Sequence, residues 1–230
     1  MPESPCGRSD CPIVDPSSID RRTLHVANWP AGLELFRGAR VEFGDSVFAP
    51  EGKGNGRFSP LPRRRHAYLA EQRSAALLES VLHEANGPNP RIYAAQLTNH
   101  VVMRLRLTGP VRLLDLRDDA LAALGIAPVE LTDASPLHYA CTRTVAASLV
   151  NTKSTRGFLW TSRQGRMHAE RNRDGLASEV LEHRRMDVAV LYTPDAEATI
   201  ETIDSEPLAV DGTPTGFVQE LANLLRIAIL

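Results

Sequence analysis

Between Gly56 and Glu84 the apolar residues change their period. The run HAYLA over 66–70 reads as a short strand, and Leu78, Val81, Leu82 and Ala85 recur at helical spacing just after it. A strand that runs almost directly into a helix commits the chain to a mixed architecture. Ser74 is placed to cap a helix over 74–85, and Asn86-Gly87-Pro88 to end it. Further strands are predicted over 33–37, 101–107, 111–116, 157–162 and 187–192, the last almost continuously apolar. A short helix is predicted over 118–124, closed by Gly125. Ser135-Pro136 opens a longer helix, with Leu137, Cys141, Thr144, Val145 and Ser148 on its inner face, and 217–230 reads as a packed terminal helix. Strands and helices follow one another without a regular βαβ rhythm, which predicts an α+β fold rather than a doubly wound one.

With 230 residues and 43% hydrophobic content, the chain is long enough to bury a sizeable core. A formal charge of −2 gives no global attraction for nucleic acid or membrane. Residues 1–19, rich in Pro, Ser and Asp, are expected to be a flexible arm, and 20–230 the folded domain. The start of the chain has no basic segment followed by an apolar run, so a cytoplasmic location is expected. Three cysteines suggest no disulfide framework. Cys6 and Cys11 form half of a zinc-site pattern, but no second pair follows at finger spacing, so they read as free thiols in a mobile tail. The seven histidines show no metalloprotease spacing, and no catalytic metal is expected.

Several side chains have chemistry worth following. Residues 44–56 form a glycine-rich loop, yet no helix opens after it, so it is not a Rossmann fingerprint. Arg57 follows that loop, with Phe58 and Pro60 placed to pin its backbone, and a guanidinium binds phosphate oxygens in pairs. Arg63, Arg64 and Arg65 read as a solvated surface run. Tyr68 offers a flat ring for stacking. Glu79 flanks the apolar stripe of its helix, where a carboxylate can look into a cleft. Ser162 offers a hydroxyl outside any G-x-S-x-G turn, so a serine-hydrolase nucleophile is not indicated.

In order, LELFR (33–37), GRFSP (56–60), AYLAEQRSAALLESVLHE (67–84), LLDLRDDALAALGI (113–126), YACTRTVAASL (139–149) and GFLWTSRQ (157–164) resemble the RES domain family, named for its Arg, Glu and Ser residues. The resemblance implies a single domain with an ADP-ribosyltransferase-like fold, central mixed β-sheets and flanking helices. It implies a toxin that consumes NAD by hydrolysis or phosphorolysis of the nicotinamide–ribose bond, neutralised by an Xre-type antitoxin with which it assembles. NAD is then substrate and not cofactor, and phosphate is a co-substrate in the case of phosphorolysis. Position by position, the family's two arginines fall on Arg37 and Arg57, its tyrosine on Tyr68, its glutamate on Glu79 and its serine on Ser162. Glu79, Arg57 and Tyr68 are thereby implied to be catalytic, and Arg37, Arg57, Tyr68 and Ser162 to bind NAD. One departure stands out: Gly38-Ala39 follow Arg37 where family members often carry an aromatic or polar pair. A protein mono-ADP-ribosyltransferase using the same site, or a non-catalytic module that binds a nucleotide or antitoxin, is the alternative. Direct nucleic-acid binding is disfavoured by balanced charge and 5% aromatic content.

Overall fold

The computed structural model describes residues 4–83, 85, 89–164, 186–194 and 196–230. Eight strands form one sheet: β1 (Val26–Trp29), β2 (Glu34–Arg40), β3 (His66–Ala70), β5 (His100–Leu107), β6 (Val111–Asp115), β7 (Gly157–Thr161), β8 (Asp187–Tyr192) and β9 (Ile200–Pro207). Their order is β1-β6-β7-β8-β3-β2-β5-β9. Only β6 and β7 run parallel; every other neighbour is antiparallel. The β2–β3 joint is thin, with the single registered pair Phe36↔Ala70, whereas β2 pairs with β5 along its whole length. Two short ladders lie apart: β4 (Arg91–Ile92) with β12 (Ala228–Ile229), and β10 (Ala209–Val210) with β11 (Thr213–Pro214). The described helices are α1 (Arg73–Leu78), α2 (Ala94–Thr98), α3 (Asp118–Ala123), α4 (Tyr139–Leu149) and α5 (Gly216–Leu224). Among the described residues no helix is long and apolar enough to cross a membrane. The expected α+β class holds, in the form of one large mixed sheet with few helices.

Strand alternation divides the interior in two. Ala70, Val102, Leu114, Phe158, Trp160, Val188, Val190 and Tyr192 face a core shared with α1, α4 and α5. Leu35, Ala39, Ala67, Leu69, Met103, Leu105, Leu113, Leu159, Ala189 and Leu191 face a second core closed by Phe48 and Ala196. The central strands β7 and β8 are buried at every position, which explains the unbroken apolar run at 187–192. Gly157 is required by this packing, because a Cβ there would collide with the Val190 carbonyl. At the edge, β9 is mostly exposed and charged; its Glu201, Asp204 and Glu206 meet Arg106, Arg104 and Arg73. Charges on an outer strand discourage edge-to-edge association.

Three expectations are corrected. The helix over 74–85 stops at Leu78. Ser80 donates its hydroxyl to the Ala76 carbonyl (2.6 Å), and the Leu82 amide reaches back five residues to the Leu77 carbonyl (2.9 Å), so loosened turns replace regular helix. Those turns carry Leu82 and Ala85 into the core. Gln72 is the N-cap and Ser74 is buried inside the helix; Asn86-Gly87-Pro88 lies outside the described residues. In the 135–149 segment Ser135 does cap, but a 3₁₀ turn over Pro136–His138 precedes α4. That turn rephases the helix, so Tyr139, Cys141, Thr142, Val145, Ala146 and Leu149 point inward, while Leu137 and Thr144 face out. The terminal helix ends at Leu224, and Arg226 at φ 54 turns the chain into β12.

The described part of the arm at 1–19 touches the domain at several points. Ile13 and Val14 pack on the first core, Ile19 is buried in it, and the Val14 amide bonds the Glu130 carbonyl (3.3 Å). Cys6 and Cys11 lie against His138 at the start of α4.

Candidate active site

Helix α1 packs on β2 and β3, across the thin joint of the sheet. Gly38 makes this approach possible, since a Cβ on it would strike the Ser80 side chain. The Gly38 departure noted in the sequence therefore has a packing cause. Glu79, next to Ser80, is the C-cap of α1 and is half-buried. Its Oε1 accepts a hydrogen bond from the hydroxyl of fully buried Ser162, just beyond β7, at 2.5 Å. Two residues 83 positions apart thus meet.

Glu79 opens on a cleft of ≈ 450 Å³. Arg57 and Tyr68 also line it, with Arg40, His66, His100 and Tyr139. Glu79 is the carboxylate among the residues forming this wall, and Arg40 and Arg57 are its cations. One acid among cationic groups suits a ligand that carries phosphates together with a centre that becomes positive.

The Arg57 loop is held from several sides. Phe58 is buried against Phe158 and Trp160, with ring centroids at 5.5 and 5.2 Å, and the Tyr192 hydroxyl donates to its carbonyl (2.6 Å). Helix α4 grips the same loop. Thr142 Oγ1 donates to the Arg57 carbonyl (2.5 Å), Arg143 donates to Asn55 Oδ1 (3.0 Å), and the Arg57 guanidinium lies 5.6 Å above the Tyr139 ring. The buried Nε of Arg57 has no hydrogen-bond partner among the described residues. A fixed guanidinium with an unpaired donor is ready for an anionic ligand.

Tyr68 plays a more constrained part than its sequence suggested. Its hydroxyl accepts from the Phe58 amide (3.1 Å) and the Ser59 hydroxyl (3.2 Å), and its ring meets Trp160 edge-on. Burial pushes its phenol pKa up, against the lowering by Ser59 and Phe58. Gly56 leaves room for that hydroxyl, as a Cβ there would overlap it. The oxygen therefore tethers the Arg57 loop, and Tyr68 lines the cleft.

Arg37 is not brought to this wall. Alternation along β2 puts it on the face of Leu35 and Ala39, opposite Gly38 and Arg40. It donates to the Ser46 carbonyl (3.0 Å) and contacts Met103 Sδ (3.5 Å). Burial lowers its pKa to about 10, so it stays charged at neutral pH. Its effect on the cleft runs through His66, whose pKa is lowered to about 4 by burial and then by the Arg37 charge. Arg40 takes the cleft-facing position instead, a placement that the period of a strand makes readable once its faces are known. His66 and His100 carried no such signal, because only strand pairing brings them together. Arg64 and Arg65 are occupied elsewhere: Arg64 bonds Asn151, and Arg65 pairs with Glu197 at 2.8 Å.

The fold is thus one large mixed sheet, thin at the β2–β3 joint, with α1 across that joint and the cleft beside it. The sequence matches the RES domain over residues 34–211, most of the chain, and the protein belongs to that family. Its fold is similar to a chain in the crystal structure described as the M. tuberculosis MbcT–MbcA toxin–antitoxin complex. The TM-score is 0.59 at 16% identity, covering 91% of this chain and 98% of that one. No curated protein matches the sequence.

Proposed function

We propose that this RES-domain protein is a toxin that cleaves the nicotinamide–ribose bond of NAD, passing the ribosyl group to water or phosphate, and that a cognate antitoxin of the Xre type restrains it. The observation that carries the reading is the Glu79–Ser162 pair at 2.5 Å, beside a cleft whose cation Arg57 keeps an unpaired Nε. Loss of nicotinamide builds positive charge on the ribose. A carboxylate next to that ring stabilises the oxocarbenium-like state and bonds a ribose hydroxyl, as glycosidase carboxylates do. Ser162 holds Glu79 in place, so the charge is aimed before substrate arrives. Arg57 and Arg40 supply the positive field for the two phosphates, and the Tyr68 ring supplies a flat wall. The likeness to a chain from a toxin–antitoxin complex supports the antitoxin partner.

Incubation of the purified chain with NAD, with and without phosphate, is expected to release nicotinamide. Nicotinamide staying undetectable in both arms would remove the reading. ADP-ribose appearing on added protein instead of in solution would replace it with protein modification. Glu79→Gln preserves shape and a partner for Ser162 but removes the charge, so turnover is expected to fall about 10²-fold with the circular dichroism unchanged.

A further inference from the structure

Away from the cleft, three cysteine sulfurs converge, and His138 lies beside two of them. The sulfur atoms of Cys6, Cys11 and Cys141 lie within 4.8 Å of one another. His138 Nδ1 is 3.6 Å from the Cys6 sulfur and 3.4 Å from that of Cys11, and the Cys11 and Cys141 sulfurs are 3.5 Å apart. We propose that these residues form a tetrahedral Cys₃His zinc site that fastens the N-terminal arm to α4.

The Cys11–Cys141 separation and those of His138 from Cys6 and Cys11 are close to zinc-site values, and the remaining sulfur pairs lie within 4.8 Å. With Zn–S near 2.3 Å and Zn–N near 2.0–2.1 Å, tetrahedral geometry separates two sulfurs by roughly 3.8 Å and a sulfur from a nitrogen by roughly 3.6 Å. A disulfide needs about 2.05 Å, far inside the observed separations. Soft thiolates with one imidazole in a closed tetrahedral set select zinc over calcium or magnesium.

Both halves of the site are built by local structure. Residues 4–8 form a tight turn: the Gly7 amide bonds the Ser4 carbonyl (2.7 Å), Ser4 Oγ accepts from the Arg8 amide (3.1 Å), and Gly7 takes φ 70. This presents Cys6 beside Cys11. Ser4 Oγ lies 3.3 Å from the Cys6 sulfur, in position to support a thiolate. The other half is His138-x-x-Cys141, where three-residue spacing at a helix start puts both donors on one side. The second pair missing from the sequence pattern is this one, over 120 residues away and on a helix.

The site is structural in kind, because protein groups fill all four positions. Its consequence reaches the cleft. Tyr139 and Thr142, which hold Arg57, alternate with His138 and Cys141 along the same turn. A cation binding His138 and Cys141 therefore fixes the helix start that supports Arg57.

The test is metal content and coordination of the full-length chain, purified with reductant and without chelator. About one zinc per chain is expected, with titration of its three thiols by a mercurial releasing that zinc. Cobalt in place of zinc is expected to give sulfur-to-metal charge-transfer and intense tetrahedral bands in the visible spectrum. Cys6→Ser, in the arm and outside the core, is expected to lose the metal and the cobalt spectrum while the domain stays folded; if that variant does not fold, the mercurial titration of the unaltered chain decides. Metal well below stoichiometric, iron in place of zinc, or a cobalt spectrum unchanged in Cys6→Ser would each overturn the proposal.

Discussion

His66 shows how one side chain can set a pH response. Its ring is buried at the cleft edge, and burial followed by the Arg37 charge lowers its pKa to about 4, against about 6.5 unfolded. Between those values the unfolded chain holds a proton that the folded chain refuses. Stability contributed by neutral His66 is therefore complete above about pH 6.5 and is lost as pH falls toward 4, by up to about 3 kcal/mol. The difference in unfolding free energy between the natural chain and His66→Phe should change between roughly pH 7.5 and pH 5, with the natural chain weakening faster. A difference that stays constant would show that His66 titrates normally. At this scale the sequence was informative about residue types and poor about direction. Arg57, Tyr68 and Glu79 line one cleft, and Ser162 reaches it through its bond to Glu79. Arg37 lies on the other face of β2, a direction composition does not reveal, because α1 decides which side of β2 is covered.

At the scale of elements, two junctions matter, one at the site and one in the sheet. The first is Gly38 against Ser80. In Gly38→Ala the new methyl must displace Ser80, which breaks its bond to Ala76 and moves Glu79 with it. Nicotinamide release should drop at least about tenfold, since a shift of about 1 Å at a catalytic group costs that much or more. A variant with unaltered kinetics would disconnect the joint from the site. The second junction is Arg117, which pairs with Asp115 at the end of β6 (2.6 Å) and Asp187 at the start of β8 (3.0 Å). Burial raises the Asp115 pKa, but the Arg117 hydrogen bonds outweigh it and leave the carboxyl below its usual range. Arg117→Met leaves two carboxylates facing each other and should cost about 2–3 kcal/mol in urea unfolding. A loss under half a kilocalorie would mean that water satisfies them. Short apolar runs bounded by polar residues, such as β3 and β8, were legible to the residue. β9 was not, because an edge strand has no buried face to impose alternation, and its charges resemble a loop. α1 read too long because Leu82 and Ala85 are apolar for the core and reach it through turns.

Over the whole molecule, the α+β class followed from the mixture of periods, while strand order did not. Nothing local tells β3 to lie between β8 and β2. Within the arm, polar composition masks Ile13, Val14 and Ile19, which dock on the core. Removing residues 2–19 should lower stability by about 2–4 kcal/mol, from apolar surface returned to water. An unchanged urea midpoint would mean that the arm is dispensable for folding. The one-pair contact between β2 and β3 has a mechanical meaning as well. The sheet amounts to two plates joined by a single stitch, with α1 strapped across the seam and touching β2, β3, β5 and β8. Arg57 and Tyr68 ride on one plate, Arg40 and His100 on the other, and Glu79 sits at the end of the strap. Any load that spreads the plates to admit a bulky ligand must bend that strap, so the width of the opening and the aim of the carboxylate are geared together.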